Sequence, residues 1–380
     1  MWGAMNSQVS EEYLLNVLSR LVEIPSPTGM TDNIVRFVCD ELEALKVPYK
    51  LTRRGAIRAT LKGSKSKPRR AIACHVDTLG AMVKSLKQNG RISIVPIGNW
   101  SARFAEGARI NVHSAGDMTT QGTVLPLKAS GHTFNEEIDN QPGNWENLEV
   151  RLDEPGSSIE SLWERGIRVG DFISFHPGME VSESGYINSR FLDDKAGVAS
   201  ILAAVQMLRN ANEIPCLNVS LLFTISEEVG VGASHVLRGN VAEMVTIDNG
   251  TIAPGQNTSE FGVTIAMMDS SGPFDTHLTS HLISICIEDG IEFSRDVFLH
   301  YRSDAAAALE AGNDIRTALV CFGLDASHGY ERVHLASLKS ITNLIIGYLK
   351  SPQLFARHMN VIGDEKKYPL IRTSSELKPS

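Results

Sequence analysis

Hydrophobic and polar positions along the chain follow two periods. Leu14, Leu15, Leu18, Leu21 and Val22 recur at helical spacing over residues 11–23, and the Pro25-Ser26-Pro27 turn ends that run. Thr31 is placed as the N-cap of a second amphipathic helix reaching about Leu45. Strand-like apolar runs follow near 56–61 and 70–74, the second leading directly into His75. Beyond residue 180 the pattern alternates: helix 196–208, strand 217–225, helix near 231–238, strand 241–248, then a strand near 263–268. Helices near 276–288 and 304–311, a strand over 316–322 and a closing helix over 337–350 complete it. Such alternation predicts an α/β fold with a mixed sheet and helices on both faces.

Over residues 89–178 the texture changes to short β-like pieces, Ile92–Pro96, Arg109–His113, Gly122–Leu127 and Leu148–Leu152, separated by Gly, Asn, Asp and Pro turns. This stretch is expected to form a small inserted β-barrel-like domain, with Gly166–Asp171 returning the chain to the main sheet. The main domain is then discontinuous, 8–88 and 179–352, which suits a chain of 380 residues. Residues 353–380, with Lys366-Lys367 and a Ser-Ser-Glu-Leu-Lys-Pro-Ser end, read as a loosely ordered tail.

Composition narrows the class. A net charge of -8 argues against a nucleic-acid partner, which would favour a basic patch. The basic run Lys62–Arg70 contains Gly63, Ser64, Ser66 and Pro68 and reads as a solvated turn. No apolar run approaches the roughly 20 residues of a membrane span. The five cysteines show no CxxC spacing and lie mostly in apolar runs, and the N-terminus carries no secretory pattern. A reducing, cytoplasmic setting is expected, in which the Asn-x-Ser/Thr matches at Asn99, Asn218 and Asn257 carry no meaning.

Candidate chemistry lies at the ends of predicted strands. His75 and Asp77 share a strand face, so the carboxylate can orient the imidazole; an isolated pair of this kind is more often a satisfied histidine. Asp193-Asp194-Lys195 precedes a helix, where acids are favoured anyway. Glu227-Glu228 ends the apolar strand 217–225, where adjacent carboxylates are costly without partners. One of them can bind metal while the other serves as a general base. Gly230-Val231-Gly232 lacks the third glycine of a dinucleotide loop. Asp248 closes the strand 241–248, with Asn249-Gly250 expected to turn the chain, and falls where open α/β sheets place ligands. His328 sits in a Gly-flanked loop with Glu331 three residues on. Of the other histidines, His132 stays open as a substrate or interface residue. Singly each segment is ordinary; in this order they describe a site for two Zn2+-like ions with imidazole and carboxylate ligands, one of them bridging.

These motifs resemble the M42 family of metallo-aminopeptidases over roughly residues 10–350: His75-Val76-Asp77, Asp193-Asp194-Lys195-Ala196-Gly197, Glu227-Glu228-Val229-Gly230, Asp248 and His328-Gly329-Tyr330-Glu331. The resemblance implies two divalent ions per subunit, zinc first, with cobalt or manganese as alternatives. It implies that Asp193 bridges them, that His75 and Asp248 complete one site, and that Glu228 and His328 complete the other. Glu227 would be the base and Asp77 the orienting acid. It also implies that the insertion mediates dimerisation and that dimers build tetrahedral dodecamers. Two segments depart from the family pattern, Thr78-Leu79 after the first motif and Tyr301-Arg302-Ser303-Asp304-Ala305, and both are expected near the substrate pocket. Arg103–Arg109, Lys128–His132 and Asp325–Arg332 resemble a subgroup associated with systems making the osmoprotectant N-acetylglutaminylglutamine amide. The expected activity is removal of N-terminal residues from short peptides or a peptide-like amide. An amidohydrolase or deacylase of N-acylated derivatives, and a metal-bound assembly protein without turnover, are the alternatives.

Overall fold

The structure is a computed structural model describing residues 9–352 apart from Asp117 and Asn240; the tail 353–380 lies outside the described residues. Strands β1 (Tyr49–Leu51), β2 (Ile57–Leu61) and β3 (Lys65–His75) open a large mixed sheet. Strands β4 (Gly80–Leu86), β5 (Ile92–Ile97), β6 (Arg109–Ser114), β7 (Met118–Pro126), β8 (Leu148–Leu152) and β9 (Phe172–Phe175) then close into a barrel in the order β4-β5-β8-β7-β6-β9. The chain returns to the sheet with β10 (Glu180–Val181), β11 (Tyr186–Ser189), β12 (Leu217–Thr224), β13 (Val241–Thr251), β14 (Val263–Asp269), β15 (Gly272–Pro273), β16 (Phe293–Val297), β17 (Arg316–Asp325) and β18 (Glu331–His334). The helices are α1 (Glu11–Glu23), α2 (Asp32–Ala44), α3 (Gly131–Phe134), α4 (Ile159–Glu164), α5 (Leu192–Asn210), α6 (Thr276–Asp289), α7 (Asp304–Glu310) and α8 (Leu335–Lys350). The fold is therefore mixed α/β with a closed six-stranded barrel.

At the centre β12, β3, β13 and β17 run parallel, so residues beyond their carboxyl ends converge on one edge. From Leu319 to Leu324 every residue of β17 is buried, and β13 is buried from Glu243 to Gly250. Runs without alternation are what layers on both faces require. Helix α1 buries the expected stripe Leu14, Val17, Leu18, Leu21 and Val22, and Ser10 caps it by accepting from the Tyr13 N–H. Helix α2 starts after Thr31 as expected, but the Thr31 side chain makes no capping bond. Core residues of the barrel, among them Ile92, Ile110, Val124, Val150 and Ile173, form a cluster separate from that of the sheet.

Several expectations are corrected. The barrel takes in β4 from Gly80, upstream of the 88/89 boundary, because β4 pairs with both β5 and β9. Gly166–Asp171 leads into β9 rather than back to the sheet, since Ile167 is buried in the barrel and Gly170 N–H donates to the Val83 carbonyl. The basic run is a turn only at its start: β3 begins at Lys65, and Arg70 is fully buried. Asn249-Gly250 does not turn the chain; β13 continues to Thr251, and a Cβ on Gly250 would lie 2.8 Å from the Cys321 Cβ across the ladder. The helix expected near 231–238 is only the 3-10 turn Gly232–His235.

Candidate metal centre

The acids and histidines singled out as ligands, base or orienting acid come to the carboxyl edge of the parallel strands. His75 ends β3, Glu227 and Glu228 follow β12, Asp248 lies within β13, and His328 occupies the loop from β17 to β18. Asp193 enters from the non-helical start of α5, and its peptide bond to Asp194 is cis. The backbone of Phe191 (φ 68) and His328 (φ 66) is left-handed, which costs on the order of 1 kcal/mol each for such residues.

Asp193 stands between the histidines. Its Oδ1 is 3.1 Å from His75 Nε2 and its Oδ2 is 3.5 Å from His328 Nε2. Glu227 Oε2 lies 3.9 Å from His75 Nε2, and Glu228 Oε2 lies 3.7 Å from His328 Nε2. One ligand atom each from His75, Glu227 and Asp248 lies within 4.8 Å of the other two, and the same holds for Asp193, Glu228 and His328. Asp194, the other acid of its pair, instead accepts the His75 backbone N–H at 3.2 Å.

Both imidazoles are aimed by carbonyls. His75 Nδ1 is 2.9 Å from the Asp77 carbonyl, and His328 Nδ1 is 3.0 Å from the Asn99 carbonyl. A carbonyl only accepts, so Nδ1 carries the proton and Nε2 is turned into the site. The Asp77 carboxylate is 3.7 Å from His75 Nδ1 and does something else at closer range. It accepts the backbone N–H groups of Glu227 (3.1 Å) and Glu228 (3.4 Å) and the Thr28 hydroxyl (2.6 Å). The expected orienting acid thus mainly fixes the acidic turn, while its backbone orients the imidazole.

Asn249 went unrecognised as part of the site in the sequence, and Glu331 and Asp304, noted there only within their motifs, are given roles by the structure. Asn249 donates its side-chain amide to Asp193 Oδ2 (2.7 Å) and Asp248 Oδ1 (3.1 Å); extended β13 puts it there, a position that a turn at Asn249-Gly250 would forbid. Glu331 accepts N–H bonds from Leu192, Asp193 and His328, joining the Asp193 segment to the histidine loop. Asp304 accepts from the Thr224 hydroxyl and the Ala233 N–H. It therefore braces the loop behind the acidic turn, while Leu79, the other departure, does line the pocket. His132 lies exposed in α3, away from this set.

The electrostatics call for cations. Burial, with repulsion from Asp193, raises Asp248 to about 8. Burial likewise raises Glu228 to about 8, although His328 pulls it down, and pushes Glu227 well above the ordinary carboxylate range. Burial also works against Asp193, yet His328 and His75 hold its pKa below the usual range. Burial opposes protonation of His328 too, but Asp193 and Glu228 lift it to about 10. A cluster of buried carboxylates with two imidazoles is short of positive charge, and bound divalent cations would favour every ionised acid in it. The donor set, imidazole nitrogen with carboxylate oxygen, is one that zinc and its neighbours accept.

A discontinuous α/β sheet carrying this edge, with a barrel inserted after the first histidine motif, defines a metal-dependent hydrolase of the aminopeptidase class. The family model of the M42 glutamyl aminopeptidases matches residues 55–344, and the chain belongs to the M42 family. It is 37% identical over 341 residues to YhfE, an inferred aminopeptidase of Bacillus subtilis (strain 168), covering 90% of this chain and 98% of that protein. Aminopeptidase APDkam598 from the archaeon Desulfurococcus kamchatkensis superposes with a TM-score of 0.82 at 21% identity, covering 95% of this chain and 99% of that one. The Pyrococcus horikoshii TET1 peptidase, which assembles into a tetrahedron or a large octahedral shell, gives a TM-score of 0.78 at 22% identity, covering 89% and 99%. Among the described residues no helix is long and apolar enough to cross a membrane.

Proposed function

We propose that the chain is a dinuclear aminopeptidase that removes N-terminal residues from short peptides in the cytoplasm, working as a homo-oligomer. The observation that carries the reading is Asp193, whose two carboxylate oxygens face one histidine each. That is the disposition of a bridging carboxylate. His75 and Asp248 would complete one ion's ligands and Glu228 and His328 the other's. Zinc is the first candidate, and cobalt or manganese suits the same donors. When bound, two such ions supply Lewis acidity that polarises the scissile carbonyl and acidifies water.

The chain's own residues order the site and move the proton. Glu227 is the general base: it accepts a proton from the attacking water and passes it to the leaving amine nitrogen. Burial raises its pKa and bound cations would lower it, so the two opposing effects suit a group that both takes up and releases a proton. Asp77 holds the Glu227 and Glu228 backbone in place, and Glu331 holds Asp193 and His328 in register.

Glu227→Gln is expected to keep two ions per chain while kcat falls by about 10²–10⁴ on peptide substrates. Metal content by mass spectrometry and turnover on free and N-acetylated di- and tripeptides measure both. Full activity in the variant would remove Glu227 from this role. Cleavage confined to the blocked series, which should include an acetylated dipeptide amide because of the osmoprotectant-subgroup resemblance, would replace the aminopeptidase with a deacylase.

A further inference from the structure

Beside the Asp193, Glu228 and His328 group lies a narrow cleft whose walls are Leu79, Trp100, Phe175 and Phe191. The cleft also contains Arg190, a cation that the chemistry above leaves unused. Arg190 sits between β11 and α5, three residues before Asp193, so the turn that delivers the bridging acid also delivers the guanidinium. Its Nη2 donates to the Phe104 carbonyl at 2.8 Å, and its guanidinium carbon stands 5.9 Å from the Phe175 ring centre. Both contacts fix its position and leave its charge unbalanced. Among the described residues Arg190 has no carboxylate at ion-pair distance, and its Nε and Nη1 make no hydrogen bond. Glu331, the acid that attracts it from further away, is committed to the N–H groups of Leu192, Asp193 and His328.

A half-buried guanidinium gives up hydration, and it presents a planar fork suited to a carboxylate. The other acids of the cleft, Asp193 and Glu228, are oriented toward the histidines and the candidate ions. An anion entering with the substrate is the partner this geometry lacks. Resting on the aminopeptidase reading, we propose that Arg190 is a specificity-determining residue that receives a carboxylate of the peptide substrate. Two sources offer that group: the side chain of an acidic N-terminal residue, and the terminal carboxylate of a dipeptide.

The test uses the metal-loaded full chain and two matched pairs of substrates. Glu-Ala-Ala amide against Gln-Ala-Ala amide reads the side-chain source, and Ala-Ala against Ala-Ala amide reads the terminal source. The expected result is a preference of about tenfold to a hundredfold in kcat/KM for the charged member of one pair, the range of a charge-assisted hydrogen bond. In Arg190→Met that ratio collapses toward one, in Arg190→Lys part of it survives, and in Arg190→Glu it inverts. Melting temperature and metal content of each variant show that the site is intact, and the lysine variant serves if methionine fails to fold. Calorimetric binding of the same pairs to the metal-loaded protein reads recognition without turnover. Hydrolysis of the neutral peptides with no charge preference in either pair overturns the assignment of Arg190 and leaves the aminopeptidase standing. Binding preference without hydrolysis of any peptide does the reverse. Retention of the wild-type ratio in Arg190→Met also overturns it.

Discussion

Asn249 shows how much of the centre is set by groups that would touch no ion. Its amide donates to Asp193 and Asp248 together, tying the proposed bridging acid to a proposed ligand on β13. Without it Asp248 would keep the Asn249 backbone N–H and Asp193 the His75 contact, but nothing would tie the two carboxylates to each other. Asn249→Leu keeps the approximate volume and removes both donors. It is expected to weaken metal binding about 10- to 100-fold, the usual cost of losing such support. Titration of the metal-free chain with Zn2+ against a competing chelator measures this, and unchanged affinity would show that Asp193 is held by Glu331 and the histidines alone. Only part of this pattern was readable beforehand. Glu227-Glu228 stands out in the sequence because adjacent charge at the end of an apolar strand is costly, whereas His75, Asp193, Asp248 and His328 are ordinary one by one and join the set through their order and the family resemblance. Asn249 is neutral and follows an acid, so it looks like an ordinary turn. The Asn99 carbonyl that aims His328 is backbone, and no residue type announces it.

The strands that carry the site are anchored at their opposite ends by a second buried polar cluster. Arg70 and Glu243, paired between β3 and β13, form a 2.6 Å ion pair. Arg70 also donates to the carbonyls of Tyr348, Ser351 and Pro352 and stacks over the Tyr348 ring. It thereby fastens the end of α8 beneath the sheet. Arg70→Met leaves Glu243 buried beside fewer donors, and a loss of about 3–5 kcal/mol in unfolding free energy is expected. Urea denaturation checks it; a loss below 1 kcal/mol would mean that the Tyr348 hydroxyl, which also donates to Glu243, suffices. His281 borders the same cluster, 2.9 Å from the Ser351 hydroxyl. Burial lowers its pKa, Arg70 lowers it further, and Glu243 opposes them. A histidine depressed in the folded state favours the neutral form, so its stabilisation is full above the unfolded value of about 6.5 and fades as pH falls toward the folded pKa. His281→Asn should flatten the decline in melting temperature between pH 7 and 5, and an unchanged slope would exclude it as a contributor. Arg70 closes a run of basic residues that pattern reasoning assigns to solvent, and only the pairing of β3 with β13 shows that the last of them points inward. The helix expected near 231–238 failed similarly: Asp304, distant in sequence, takes the Ala233 N–H and sits 1.6 Å from where a Cβ on Gly232 would be, so the segment tightens into one short turn.

The barrel gives this chain two attachments to its surroundings, one inward and one outward. Inward, Asn99 and Trp100 reach the metal centre through the His328 contact and the cleft, so the barrel is part of the site. Outward, the end of α4 carries Trp163 and the turn from α4 to β9 carries Val169, exposed by 46% and 65%, and the 48% exposed Met118 packs against Gly166 between them. Large apolar side chains grouped this way on a folded surface mark contact sites more often than solvent faces. Under the proposed homo-oligomeric reading, a second copy of this chain is the partner to test against this face. Symmetric pairing would bury the same residues on both subunits. Replacing Trp163 and Val169 together with Glu places like charges face to face across such a contact. The wild-type chain is expected to elute as a dimer or larger assembly by light scattering, and the double variant as a smaller species. Because the two positions lie outside the barrel's own core, the variant should keep its melting temperature within a few degrees. An assembly of unchanged mass would move the interface off this turn, and a wild-type monomer would remove the outward role of the barrel while leaving its inward one intact.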